Sequence, residues 1–170
     1  DTREDAATVF ESLNTTGLPL SQGDLVRTAL LAAFGELDAQ RKVDDRFWRP
    51  MEQRLRDAVP DRKKFERSSP KDRVVDDYLR AYLMRTGEGI ESGRLYRTFV
   101  GRSFSQQHAR SEAESETALV SLDRLSHSYV RLIPPRATTL HSSVHQRIRE
   151  IGYSVHFPLL LQLDERAAAG

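Results

Sequence analysis

Asn14 and Thr15, followed by Thr16 and Gly17, are the stretch of this chain whose residue types most suggest contact with a ligand. A carboxamide beside a hydroxyl offers donors and acceptors without charge. The same residue types also stop helices, because Asn bonds nearby backbone and Gly accepts a positive φ. Residue type alone leaves both roles open. His141 and His145 stand four apart, a spacing that places two imidazoles on one helix face. No Glu lies between them in the metalloprotease arrangement and no third ligand is near, so no metal is assigned. His108, His127 and His156 are isolated and read as surface or partly packed residues. Asp44-Asp45 reads as a helix N-cap and Asp76-Asp77 as a solvated helix face, and without partners neither makes a two-metal site. Neither a P-loop nor a Gly-x-Gly-x-x-Gly turn occurs, so the chain has no self-contained phosphate cradle. Cysteine is absent, which removes thiolate nucleophiles, disulfides and Cys-based metal sites. No catalytic residue is assigned.

The elements around Asn14 would fix it in space. Ala6, Val9, Phe10 and Leu13 recur at helical spacing, and Leu25, Val26, Ala29 and Leu30 restart the pattern after the break. Ser21 with Asp24 resembles a capping box opening that second helix. Phe10, Gly17, Leu20 and Asp24 would thus support a polar elbow between two apolar stripes, with Phe10, Leu13, Leu20 and Leu25 read most simply as core. Downstream, the pattern is helix after helix. Phe47, Trp48, Met51 and Leu55 share a face, and Pro50 is tolerable only in a first turn, which predicts a start near Trp48. Val74, Val75, Tyr78, Leu79, Tyr82 and Leu83 form the clearest amphipathic stripe, opened by Ser69 or Pro70 and closed by Gly87. Leu95, Tyr96, Phe99 and Val100 mark a shorter helix. Residues 102–115 are polar and aperiodic and are expected to be a loop. Leu119, Leu122, Leu125, Tyr129 and Leu132 face inward on a long helix stopped by Pro134-Pro135. Leu140, Val144, Ile148 and Ile151 predict another, closed by Gly152, and a last one begins near Phe157-Pro158. No hairpin signal appears. The expectation is an all-α, irregular bundle of about six to eight helices: an elbow unit at 1–34, central helices over 35–101, the loop, and C-terminal helices over 116–170.

Phe10-x-x-x-Asn14-Thr15-x-x-x-x-Leu20, followed by Asp24-Leu25-Val26-Arg27, resembles the second signature of the GmrSD-type restriction endonuclease N-terminal domain family. The resemblance covers residues 5–31 most closely. Phe47-Trp48, Tyr78-Leu79, Leu95-Tyr96 and Pro158-Leu159-Leu160 follow in the order of that family's helical portion. It implies a parent with a ParB/sulfiredoxin-like fold that couples hydrolysis of a nucleoside triphosphate to restriction of foreign DNA. The family's first signature, Asp-Gly-Gln-Gln-Arg, is missing, as is any HNH-type nuclease domain. The resemblance therefore implies a helical portion that is itself non-catalytic. Asn14 and Thr15 would bind nucleotide at a site completed by an upstream segment, and the chain's partner would be the rest of its own polypeptide.

Composition bounds these readings. With 170 residues, 38% hydrophobic and 30% charged, the chain can bury a core and keep a solvated surface. No apolar run reaches the length needed to cross a bilayer, so no membrane partner is expected. The absence of Cys fits the cytoplasm, and the first and last residues read as cuts from a longer protein. Net charge is only +1. Basic residues nevertheless outnumber acids over 41–73, where Arg62, Lys63, Lys64 and Arg67 suggest a basic loop. That loop is either a salt-sensitive nucleic-acid contact, with DNA as partner, or a solvated surface. Tyr78, Tyr82, Tyr96 and Phe99 are read as core rather than a base-stacking set. The competing functional class is a helical interaction or dimerisation module with no ligand site, for which self-association is expected.

Overall fold

The computed structural model describes residues 20–59, 70–90, 93–104, 111–133 and 156–167, all helix or short connection with no strand among them. The elements are α1 (Gln22–Leu31), α2 (Leu37–Val43), a π-helical turn π1 (Asp44–Trp48), α3 (Arg49–Ala58), α4 (Pro70–Met84), α5 (Leu95–Ser103), α6 (Glu112–Leu132) and α7 (Phe157–Ala167). The all-α expectation holds. The helix proposed around Leu140 to Ile151 lies outside the described residues.

Local punctuation sets most boundaries. Ser21 caps α1 reciprocally with Asp24. Gly87 follows α4 at φ +88°, a conformation costly to any residue with a Cβ. Ser111 caps α6 by accepting the Glu114 amide. The α6 cap corrects the expected loop, since residues 112–115 are already helical and Ser115 is buried. Glu and Ala are good helix formers, and a capped, acidic first turn can extend a helix beyond its apolar stripe.

The α-helical segment α3 begins beside Trp48, as expected from Pro50, but it continues a rod already formed by α2 and π1 instead of opening after a break. The Arg49 amide reaches back five residues to the Asp44 carbonyl, the wide turn of a π-helix. Pro50 follows directly and sits in the first α turn of α3, where a missing N–H is tolerated. Val43, Phe47, Met51 and Leu55 are spaced by strict fours, which lags the 3.6-residue period of an α-helix. One wider turn absorbs that lag and keeps all four on the core side.

The long helix α6 is the spine of the core, packing against α1, π1, α3, α4, α5 and α7. Its inner face supplies Leu119, Leu122 and Leu125, each fully buried. Tyr78 of α4 donates its hydroxyl to the Leu122 carbonyl at 2.5 Å. Its ring meets Tyr129 edge-on at 5.1 Å, and Tyr129 meets Phe157 in the same way at 5.4 Å. Tyr78, Tyr82 and Phe99 are therefore core, as expected, while Tyr96 is half-buried against it.

Candidate functional site

Of the stretch expected to form the elbow, the described residues begin at Leu20 and lead into α1. Ser21 Oγ accepts the Asp24 amide at 3.1 Å, while Asp24 Oδ2 accepts the Ser21 amide at 3.0 Å and its hydroxyl at 2.9 Å. The capping box expected at Ser21 and Asp24 is therefore present. The next anchor comes from far along the chain. Gly23 donates its amide to Asp76 Oδ1 of α4 at 2.7 Å. A Cβ on Gly23 would stand 2.9 Å from Val75 Cγ1 and 3.0 Å from Asp76 Oδ1, so only glycine lets α1 approach α4 this closely. Gln22 Oε1 accepts the Tyr96 amide at 3.2 Å, tying the same turn to α5. Asp76 is therefore a fastener between helices, which corrects its reading as a solvated face.

An open helix N-terminus is an anion site because its first amides have no partners. Here the amides of Gly23 and Asp24 are already taken by Asp76 and Ser21. Those two amides are therefore not open to a phosphate. Leu20 corrects the core reading, being 41% exposed. It precedes the cap and so lies off the α1 stripe. Leu25 is half-buried. Phe10, Asn14, Thr15 and Gly17 lie outside the described residues.

Further along α1, Arg27 grips Asp44 at the start of π1. Its Nε donates to Oδ1 at 2.8 Å and its Nη2 to Oδ2 at 2.5 Å, a two-pronged contact. Arg49 adds Nε to Oδ2 at 2.8 Å, and its Nη1 lies 3.0 Å from Asp45 Oδ1. The Asp44 side chain is only 6% exposed, against 29% for Arg27 and 62% for Arg49. Hydrogen bonding to Asp44 raises the Arg27 guanidinium above its ordinary value, outweighing the opposing desolvation. This overturns the N-cap reading of Asp44, which is a buried clamp within a continuous helical run. Both of its oxygens accept from guanidinium donors, which makes it a positioning group between helices. Next to it, Glu52 accepts from Trp48 Nε1 at 3.2 Å and from Arg56 Nε at 2.9 Å.

The basic residues singled out in the sequence divide. Arg62, Lys63, Lys64 and Arg67 lie outside the described residues. Within them, Arg54 pairs with Asp123 at 2.9 Å and bonds Ser126, and Arg56 and Arg49 are also paired. The Arg46 guanidinium lies 4.8 Å from the Phe47 ring centroid. Among the described residues no cluster of three His, Asp or Glu could hold a metal ion, and no helix is long and apolar enough to cross a membrane. His127 is exposed and His156 half-buried, its ring 4.7 Å from that of Phe157. His108, His141 and His145 lie outside the described residues.

Sequence reasoning missed both long-range carboxylates, Asp44 and Asp76. The strict fours from Val43 to Leu55 were the available sign of the wide turn at Asp44. Nothing local marks Asp76. No protein-family model, curated protein or solved structure matches this chain.

Proposed function

We propose that this chain is the helical part of a GmrSD-like, nucleotide-dependent DNA-restriction protein. Its task is to hold Asn14 and Thr15 at a nucleotide site completed by an upstream segment, without performing catalysis itself. The observation that supports this reading is the fastening of the turn that leaves the elbow. Asp76, Tyr96 and the Ser21–Asp24 box all bind the first turn of α1, seven to ten residues after Asn14. A group that must meet a ligand at a set position needs such support, because small displacements weaken the contact.

The test is Asn14→Ala in the complete gene product. Nucleotide hydrolysis should fall at least about tenfold, the scale of one lost hydrogen bond in a transition state, with the melting temperature unchanged. Undiminished hydrolysis would leave the elbow a mere turn. The purified 170-residue chain should hydrolyse no nucleotide, and clear turnover by it would remove the proposal.

A further inference from the structure

Ala113, Glu116, Thr117, Val120, Ser121 and Arg124 line a shallow hollow of about 500 Å³ on the outer face of α6, opposite the buried leucines. Val120, at 47% exposure, is a branched apolar side chain in the middle of this row. Glu116 stands one helical turn before it and Arg124 one turn after it. Glu116 is exposed, and the Arg124 side chain is 48% exposed, reaching Glu165 only at 3.5 Å. Ala113 and Thr117 are small enough for a second helix to approach closely, while Ser121 lies at the edge of the face, its hydroxyl accepting from Tyr82 at 3.1 Å.

The charges about Val120 are antisymmetric along the helix. Lay a second α6 antiparallel across this face, with a two-fold axis at Val120. Each residue then faces the one equally far on the other side of position 120. Glu116 of each copy meets Arg124 of the other, and valine meets valine. A self-complementary patch of this kind is what an isologous dimer requires. A foreign partner would need no such symmetry. We propose that two copies of this chain associate through α6 in this register. The proposal is independent of the nucleotide reading. Such a contact covers one helix face, less than the ~1,600 Å² of a standard interface. The dimer is accordingly weak, concentration-dependent and sensitive to salt.

Sedimentation velocity at low salt, from about ten micromolar to about one millimolar, spans the range expected of a small interface. The wild-type chain should shift from monomer to dimer across it. Glu116→Arg sets arginine against arginine, and Arg124→Glu sets glutamate against glutamate. Each should weaken self-association at least about tenfold, the scale of a like-charge clash at an interface. An equimolar mixture of the two variants should recover a heterodimer, and the doubly exchanged chain should recover the homodimer. Val120→Lys, at an exposed position, should leave the thermal melt unchanged and abolish the dimer, which keeps the test decisive if a charge variant folds poorly. A chain monomeric throughout overturns the pairing and gives the face to some other partner. A dimer indifferent to Glu116→Arg, or not recovered by charge exchange, overturns it as well.

Discussion

Among the described residues, the ion pairs at two helix junctions differ in how much water they see. At the α1–π1 junction one carboxylate, Asp44, is 6% exposed and held by two arginines. At the α6–α7 junction, Asp164 and Glu165 are 44% and 33% exposed and meet Arg131, Arg124 and Arg85. The chemistry is the same and the dielectric is not. A buried carboxylate cannot lose its partners without being stranded, whereas an exposed one turns to solvent. The first cluster therefore fixes the position of α1. The second trims the seating of α7, alongside the buried Phe157 and Leu161.

The sharpest way to break this comparison is Asp44→Ala. It takes away the acceptor of three charge-assisted hydrogen bonds from Arg27 and Arg49 and should lower stability by about 3 kcal/mol, read from urea unfolding, with little response to added salt. Gly23→Ala comes next. Its Cβ must push Val75 or Asp76 aside, and a loss of about 1–3 kcal/mol is expected, together with faster amide exchange over the first turn of α1. Tyr78→Phe removes the hydroxyl bonded to the Leu122 carbonyl but keeps the ring, so about 1 kcal/mol should be lost. Arg131→Ala, on the exposed side of the comparison, should change stability by less than about 0.5 kcal/mol, and 1 M salt should erase even that. A loss as large as that of Asp44→Ala would collapse the distinction.

The smallest effect concerns Asp77, next to the fastening Asp76. Desolvation raises its carboxyl above the usual range, opposed by Arg73 and Arg80 and reinforced by Asp76. A carboxylate with a raised folded value costs stability once it is charged. The cost is absent below the ordinary carboxylate range, grows as pH rises through it, and is complete above the raised value. Asp77→Asn should therefore raise the melting temperature slightly at pH 7 and leave it unchanged near pH 3.

Much of the fold could be read from short-range signals. Ser21 and Asp24, Pro70, Gly87 and Phe157-Pro158 each act within a few residues of themselves, and each stands at or beside an observed helix end. The inward residues of α4 and α6 followed directly from helical periodicity. The site was less legible. Arg27 and Asp44 are seventeen residues apart, and Gly23 and Asp76 fifty-three. In both cases the carboxylate acquires its role only when separate helices meet. An acidic pair on a helix looks the same in sequence whether it faces water or a neighbouring amide. The polar start of α6 misled for a different reason, because it is held by a cap and by propensity, neither of which leaves an apolar rhythm.

The wide turn at Asp44–Trp48 also bears on which length changes the rod from Leu37 to Ala58 can absorb. A π turn carries one residue more than an α turn over the same rotation. Deleting Asp45 would relax this stretch to plain helix, and Met51 and Leu55 would still meet the spine. The same single-residue loss within α3 would swing every later side chain by about a quarter-turn or more. Codon-deletion scanning of the rod should thus find its tolerant position here, at the expense of the Arg27 clamp and the Arg49–Asp45 pair.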